Sequence, residues 1–161
     1  MKKLIVSATI APLLMIALAG TSLAAPKKAE KKELPFKGTL QSVETYAVTP
    51  PIMSVTANGS GNATHFGQYA ISYEVEVNLE TLSGVGSAQL VAANGDILYA
   101  DMSGQATPTG TTDVFNVAEE FTITGGTGRF ANASGSFTLN REVNITTGVT
   151  SGGFEGSIVI H

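Results

Sequence analysis

The feature that most constrains the fold is a period-two alternation of apolar and polar residues on either side of a glycine-rich connection, residues 125–135. The apolar residues that share one parity are Phe115, Val117, Phe121 and Ile123 before the connection, and Phe137, Leu139, Val143 and Ile145 after it. This period is typical of half-buried β-strands. Each series is interrupted once, by Glu119 in the first and by Arg141 in the second. The pattern therefore assigns one acid and one base to the core.

Glu119 and Arg141 are candidates for a contact across this hairpin. If the hairpin is centred near Phe130, the two residues lie directly opposite each other, at about 5.5 Å between Cβ atoms. A lone carboxylate on an apolar face is costly, whereas a carboxylate paired with a guanidinium is tolerated. We expect a buried pair that fixes the strand register. The alternative is a cavity site in which the pair orients or protonates a ligand.

The first 24 residues have the composition of a secretory signal peptide. A short basic region, Met1–Lys3, precedes an apolar run, Leu4–Ala19, and the small-x-small site Ser22–Ala24. This order predicts cleavage after Ala24 and export to the periplasm or the medium. The apolar run is shorter than the roughly 20 residues that cross a bilayer, so we expect no membrane span after cleavage.

Residues 25–33 form a lysine- and glutamate-rich stretch that predicts a flexible linker, and residues 34–161 are expected to form one domain. From Leu34 onward three basic residues stand against eleven acidic ones, a net charge of −8. A domain this acidic, with no basic stripe, argues against nucleic acid as a partner. The chain has no cysteine, so no disulfide can stabilise it.

Alternation and turn signals predict an all-β domain. The clearest strand spans residues 66–79, where every second residue is apolar. The eight predicted strands span residues 36–46, 52–57, 66–79, 86–93, 97–106, 114–124, 135–145 and 154–160. Asn94–Gly95 predicts a type I′ hairpin turn. Eight sequential antiparallel strands favour a calycin-like, up-and-down barrel in which the last strand pairs with the first. The alternative is a two-sheet β-sandwich.

The glycine-rich connection carries a family resemblance. Gly125-Gly126-Thr127-Gly128-Arg129-Phe130, followed by Ala131, Ala133, Gly135 and Phe137, resembles the signature of the allene oxide cyclase and dirigent superfamily. The motif is also similar to that of small secreted bacterial proteins with allene oxide cyclase-like barrels. The resemblance implies an eight-stranded antiparallel barrel. It carries no catalytic residue over to this chain, because it is dense only over about residues 120–138. The glycines suit a tight connection, and Phe130 suits a plug at one barrel end.

Three classes of function remain open from the sequence. The first is a binding module that holds a small apolar or aromatic molecule among aromatic side chains. The second is a cyclase- or isomerase-type enzyme that uses Glu119 and Arg141, with Asp101 or Glu44 as further polar groups. The third is a structural or interaction protein with a filled core. The aromatic candidates for ligand contact are Tyr69, Tyr73, Phe121 and Phe137.

Small inward residues and scarce histidines narrow these classes further. Gly38, Ala88, Ala100 and Gly104 leave some interior layers small, which favours a cavity. The two histidines are His65 and His161, too few for a histidine-rich metal site, and we expect His65 at the surface. No motif for a cofactor is present, so we expect neither a cofactor nor a metal. The oligomeric state is left open.

Overall fold

Eight antiparallel strands, each paired with the next along the chain, close into a barrel because β8 also pairs with β1. The structure, a computed structural model, describes residues 32–160. The strands are β1 Glu33–Thr49, β2 Ile52–Ala63, β3 Gly67–Asn78, β4 Ser83–Ala92, β5 Ile97–Pro108, β6 Val114–Gly126, β7 Ser134–Asn144 and β8 Val149–Val159. A short 3₁₀ turn, Gly128–Phe130, lies between β6 and β7. The predicted up-and-down barrel is confirmed, and the sandwich is excluded.

Several predicted features fall outside the described part of the chain. The predicted signal peptide, residues 1–24, and the predicted linker up to residue 31 are among them. β1 begins at Glu33, the last residue of that predicted linker. Residues 32–160 include no helix with the length and apolarity needed to cross a membrane.

Two strands extend five or more residues past one of their predicted ends. β2 continues from Ala57 to Ala63, and β8 begins at Val149 rather than at Phe154. Both extensions are rich in glycine and small polar residues, so they lack the apolar alternation that marks a strand. Their backbones are held in the ladder by neighbours on both sides, as for the segment around Gly59, which lies against Ser42 of β1. Closure of the barrel imposes strand conformation where the side chains do not specify it.

The turn between β4 and β5 differs from the predicted type. A type I′ turn needs positive φ at both central residues. Only Gly95 has one, 87°, and its N–H donates to the carbonyl of Ala92 at 2.9 Å. The prediction was wrong because Asn94 keeps a negative φ, with its side-chain oxygen accepting the N–H of Asp96 at 3.2 Å. The turn therefore has the positive φ after its central pair, as in three-residue hairpin loops.

One end of the barrel is filled by aromatic side chains. We call this end, which carries the β2–β3, β4–β5 and β6–β7 connections, the closed end. Phe121 and Phe137 stack at 4.6 Å between ring centroids, and Phe130 stacks on Phe66 at 4.7 Å. The members of this aromatic cluster are Phe36, Phe66, Tyr69, Phe121, Phe130, Phe137 and Phe154. Phe130 is 1% exposed, which confirms its predicted role as a plug.

Candidate functional site

A cavity of about 140 Å³ occupies the opposite, open end of the barrel, which carries the β1–β2, β3–β4, β5–β6 and β7–β8 connections. Its walls are apolar side chains that point inward from five strands. These are Met53, Val55, Val75, Val77, Ala106, Phe115, Val117 and Val143. Leu79, Leu82 and Ile145 lie on the connections around its mouth. Three charged side chains, Glu44, Glu119 and Arg141, also line it.

Two glycines explain why this end is not filled. Gly84 of β4 and Gly104 of β5 lie directly opposite each other and both line the cavity. A Cβ added at Gly104 would lie 2.5 Å from Cγ of Glu119, so the absence of a side chain there lets the Glu119 stem pass over the β5 backbone. Gly38 was also predicted to leave space in the interior, but no cavity forms there because the ring of Phe154 fills that space. The predicted small layers thus form a cavity at only one end.

Arg141 and Glu119 form a bidentate ion pair beside the cavity. Nε of Arg141 donates to Oε2 of Glu119 at 2.8 Å, and Nη2 donates to Oε1 at 2.9 Å. The predicted contact is therefore confirmed. The predicted register was wrong by two residues, because Glu119 pairs with Leu139 and Arg141 pairs with Val117. The pair lies on a diagonal of the ladder, a spacing that long side chains can bridge.

Glu44 of β1 is the second anionic partner of Arg141. Nη1 of Arg141 donates to Oε1 of Glu44 at 2.5 Å and to the Thr150 hydroxyl at 3.1 Å. Glu44 also accepts hydrogen bonds from two tyrosine hydroxyls, from Tyr73 at 2.7 Å and from Tyr46 at 2.8 Å. The result is a network that joins residues of β1, β3, β6, β7 and β8, and we call Glu44, Glu119 and Arg141 the buried triad.

The buried triad is nearly inaccessible to bulk water, since its side chains are 3–6% exposed. Burial lowers the pKa of Arg141, but the hydrogen bonds and charge of Glu119, with smaller contributions from Tyr73 and Glu44, outweigh it and raise that pKa overall. Burial raises the pKa of Tyr73, and burial together with the Glu44 charge raises that of Tyr46. Arg141 therefore stays protonated and both tyrosines stay neutral hydrogen-bond donors.

The other predicted site residues lie in different places. Tyr73 reaches the network, and the Arg141 guanidinium carbon lies 5.7 Å from its ring centroid. Tyr69, Phe121 and Phe137 belong to the aromatic cluster and do not line the cavity. Contact of these three with a ligand stays a prediction. Asp101 is exposed on the outer face of β5.

Sequence reasoning missed three polar members of the network: Ser42, Tyr46 and Thr150. Ser42 and Tyr46 share the inward parity of Glu44 on β1, and the Ser42 hydroxyl lies 2.9 Å from that of Tyr73. Ser42, Glu44 and Tyr46 occupy three successive inward positions of β1, and this polar series in the sequence could have indicated the network. Thr150 had no such signal, because its strand was predicted to begin only at Phe154.

The described residues offer no metal site. Within residues 32–160, no three histidine, aspartate or glutamate side chains are grouped so that they could hold a metal ion. His65 is exposed in the β2–β3 connection, at a φ of 61°, as expected for a surface histidine. The polar groups that the structure brings together at the site are carboxylate, guanidinium and phenol groups.

Comparison with known proteins identifies the fold. No protein-family model matches this chain, and no curated protein sequence matches it. Among solved structures it is similar to the pterocarpan synthase dirigent protein GePTS1, with a TM-score of 0.58 at 14% sequence identity. The match covers 89% of this chain and 99% of that chain. The fold is a dirigent-like barrel, as the glycine-rich motif implied.

Proposed function

We propose that this protein is an exported binding protein that holds one small apolar or aromatic molecule in the cavity at the open end. The observation that carries the proposal is the cavity itself, because one half of the barrel is packed with aromatic rings while the other half is left unfilled. Well-packed interiors rarely leave such a space. An apolar cavity of about 150 Å³ is large enough to bind benzene.

The walls and the mouth define the class of ligand. Most of the lining residues are apolar, with valine the commonest, so burial of an apolar body supplies the affinity. The mouth is bordered by Leu79, Leu82 and Ile145, and Ile145 is 37% exposed. A ligand in the cavity would cover part of this exposed apolar surface. These features support a ligand about the size of a single aromatic ring.

The buried triad favours binding over catalysis. Both oxygens of Glu119 accept hydrogen bonds from Arg141, and both oxygens of Glu44 accept hydrogen bonds as well. Within residues 32–160, every buried side-chain nitrogen or oxygen has a hydrogen-bond partner. A general base works best when it is free to take a proton from the substrate. Carboxylates whose oxygens are all hydrogen-bonded are better suited to form the fixed, polar side of a binding cavity.

Calorimetric titration with benzene tests the binding function. We expect saturable binding to the wild-type protein. Ala106→Phe, which fills the cavity, is expected to abolish binding. The matched control is Ala118→Phe, the same substitution on the exposed outer face of β6, and it is expected to bind benzene as the wild type does. Absence of binding to the wild type, or equal binding to both variants, would overturn the proposal.

Export is the second part of the proposal, and the predicted signal peptide supports it. N-terminal sequencing of protein recovered from the periplasm or the medium is expected to give Ala25 as the first residue. Recovery of the protein in the cytoplasm with Met1 intact would refute export while leaving the binding function standing.

A further inference from the structure

We propose that the cavity selects molecules with an apolar body and a cationic head that donates hydrogen bonds, such as a primary ammonium group. This inference rests on the proposed binding function and adds the chemistry of the ligand head to it. It follows from the charge and the hydrogen-bond inventory of the buried triad, which faces the cavity.

The charges of the triad do not balance. Among residues 32–160, the buried charged side chains are Glu44, Glu119 and Arg141, that is, two acids and one base. With both carboxylates ionised, the floor of the cavity has a formal charge of −1. An uncompensated charge in a dry site is costly. A cation that enters the cavity would neutralise the excess, whereas an anion would double it.

The unused hydrogen-bonding positions of the triad also favour a ligand that donates hydrogen bonds. Arg141 has five N–H groups, and four of them are used by Glu119, Glu44 and Thr150. A carboxylate has about four acceptor positions. Glu119 uses two of its positions and Glu44 uses three. About three acceptor positions are therefore left over against a single N–H, so the floor can accept more hydrogen bonds than it can donate.

The surroundings reinforce this preference. The apolar walls limit water near the triad, and electrostatic attraction is stronger in such an environment than in bulk water. The domain as a whole is also strongly acidic, with three basic residues against eleven acidic ones from Leu34 onward. A field of this sign attracts cations to the barrel and repels anions from it.

Three probes that share an aromatic ring and differ in the head group separate the contribution of the head to affinity from that of the apolar body. We would titrate the whole mature protein with benzylammonium, benzyl alcohol and benzoate at neutral pH, using calorimetry with benzene as a competitor. Hydrogen bonds between charged groups are about twice as strong as neutral ones, so we expect benzylammonium to bind about tenfold more tightly than benzyl alcohol. Benzoate is expected to bind more weakly than both, and benzene is expected to displace bound benzylammonium.

Two neutralising variants locate the effect in the cavity. Glu44→Gln removes one charge while its amide can still accept from Arg141 and donate to the Tyr46 oxygen. It is expected to reduce the preference for benzylammonium over benzyl alcohol to about twofold or less. Glu120→Gln makes the same change on the exposed outer face of β6, beside Glu119, and is expected to leave the preference unchanged.

The outcomes separate this inference from the binding function. If benzyl alcohol binds and benzylammonium is not preferred, or if benzoate binds most tightly, the head preference is overturned and the binding function stands. If Glu44→Gln and Glu120→Gln have equal effects, the preference comes from the outer surface and the inference is also overturned. If no probe and no benzene binds, both are overturned. The ranking on the unmodified protein decides even if Glu44→Gln does not fold.

Discussion

Removal of Arg141 should damage the barrel more than removal of any other single charge. Arg141→Met leaves the carboxylates of Glu44 and Glu119 buried and facing a site with no cation. Breaking a buried pair by removing one partner costs about 3–5 kcal/mol. Total stabilities of domains are about 5–15 kcal/mol, so this one change should remove a large part of the free energy of unfolding.

Removal of Glu119 together with Arg141 should cost less than the two single changes predict. Glu119→Leu alone loses two hydrogen bonds to a charged partner, worth about 1.5–3 kcal/mol each when measured singly. In the double variant one of the two stranded carboxylates is gone, and Glu44 keeps its two tyrosine donors. We expect a coupling free energy of at least about 2 kcal/mol.

Urea unfolding of the wild type, both single variants and the double variant gives this coupling directly. The control is the cross-strand pair Lys37 and Glu155, which lie opposite each other at 3.3 Å with side chains 60% and 74% exposed. Breaking that pair should cost less than about 1 kcal/mol. Additivity of Arg141→Met and Glu119→Leu within about 0.5 kcal/mol would show that the two side chains do not stabilise each other.

Three further predictions follow from the barrel. Truncation after Gly152 removes most of β8 and opens two sheet edges, so it should prevent folding; a soluble fragment with a cooperative urea transition would contradict this. Gly38→Ala should cost about 1–3 kcal/mol in urea unfolding, since its Cβ would lie 2.5 Å from the Phe154 ring, whereas Gly153→Ala meets nothing closer than 3.6 Å and should be near neutral. Burial raises the pKa of Tyr69 and Tyr73, so their contribution to stability is complete below about pH 10 and falls above it by roughly 1 kcal/mol per pH unit for each; NMR shifts of labelled tyrosine rings that show either residue ionising near pH 10 in the folded protein would refute this.

The fold could be predicted from the sequence because a register error of two residues does not change which side chains face inward. Residues at every second position of β6 and β7 face inward whether the hairpin is centred at Phe130 or one residue earlier, so Glu119 and Arg141 were assigned to the interior correctly. The register itself depends on the 3₁₀ turn Gly128–Phe130, whose conformation the alternation does not encode. A shift of two residues changes which side chains are opposite but not which face they occupy.

The site was only partly predictable because its partners are distant in the chain. Glu44 lies 97 residues before Arg141, and they meet only once β8 closes the barrel beside β1. Local patterns contain no information on which inward residues share a level of the barrel. For the same reason the small layers at Gly38 and Gly104 looked equivalent in sequence, whereas Phe154 fills one and the other borders the cavity.

The location of a bound apolar probe shows whether the cavity at the open end is the binding site. We would titrate benzene into protein with labelled valine methyl groups and follow their NMR shifts. We expect saturable shifts at the cavity valines, which are Val55, Val75, Val77, Val117 and Val143. We expect no shift at Val43 and Val85, which are 55% and 62% exposed on the outer face. Shifts confined to Val43 and Val85, or unchanged cavity valines at saturating benzene, would contradict binding in the cavity.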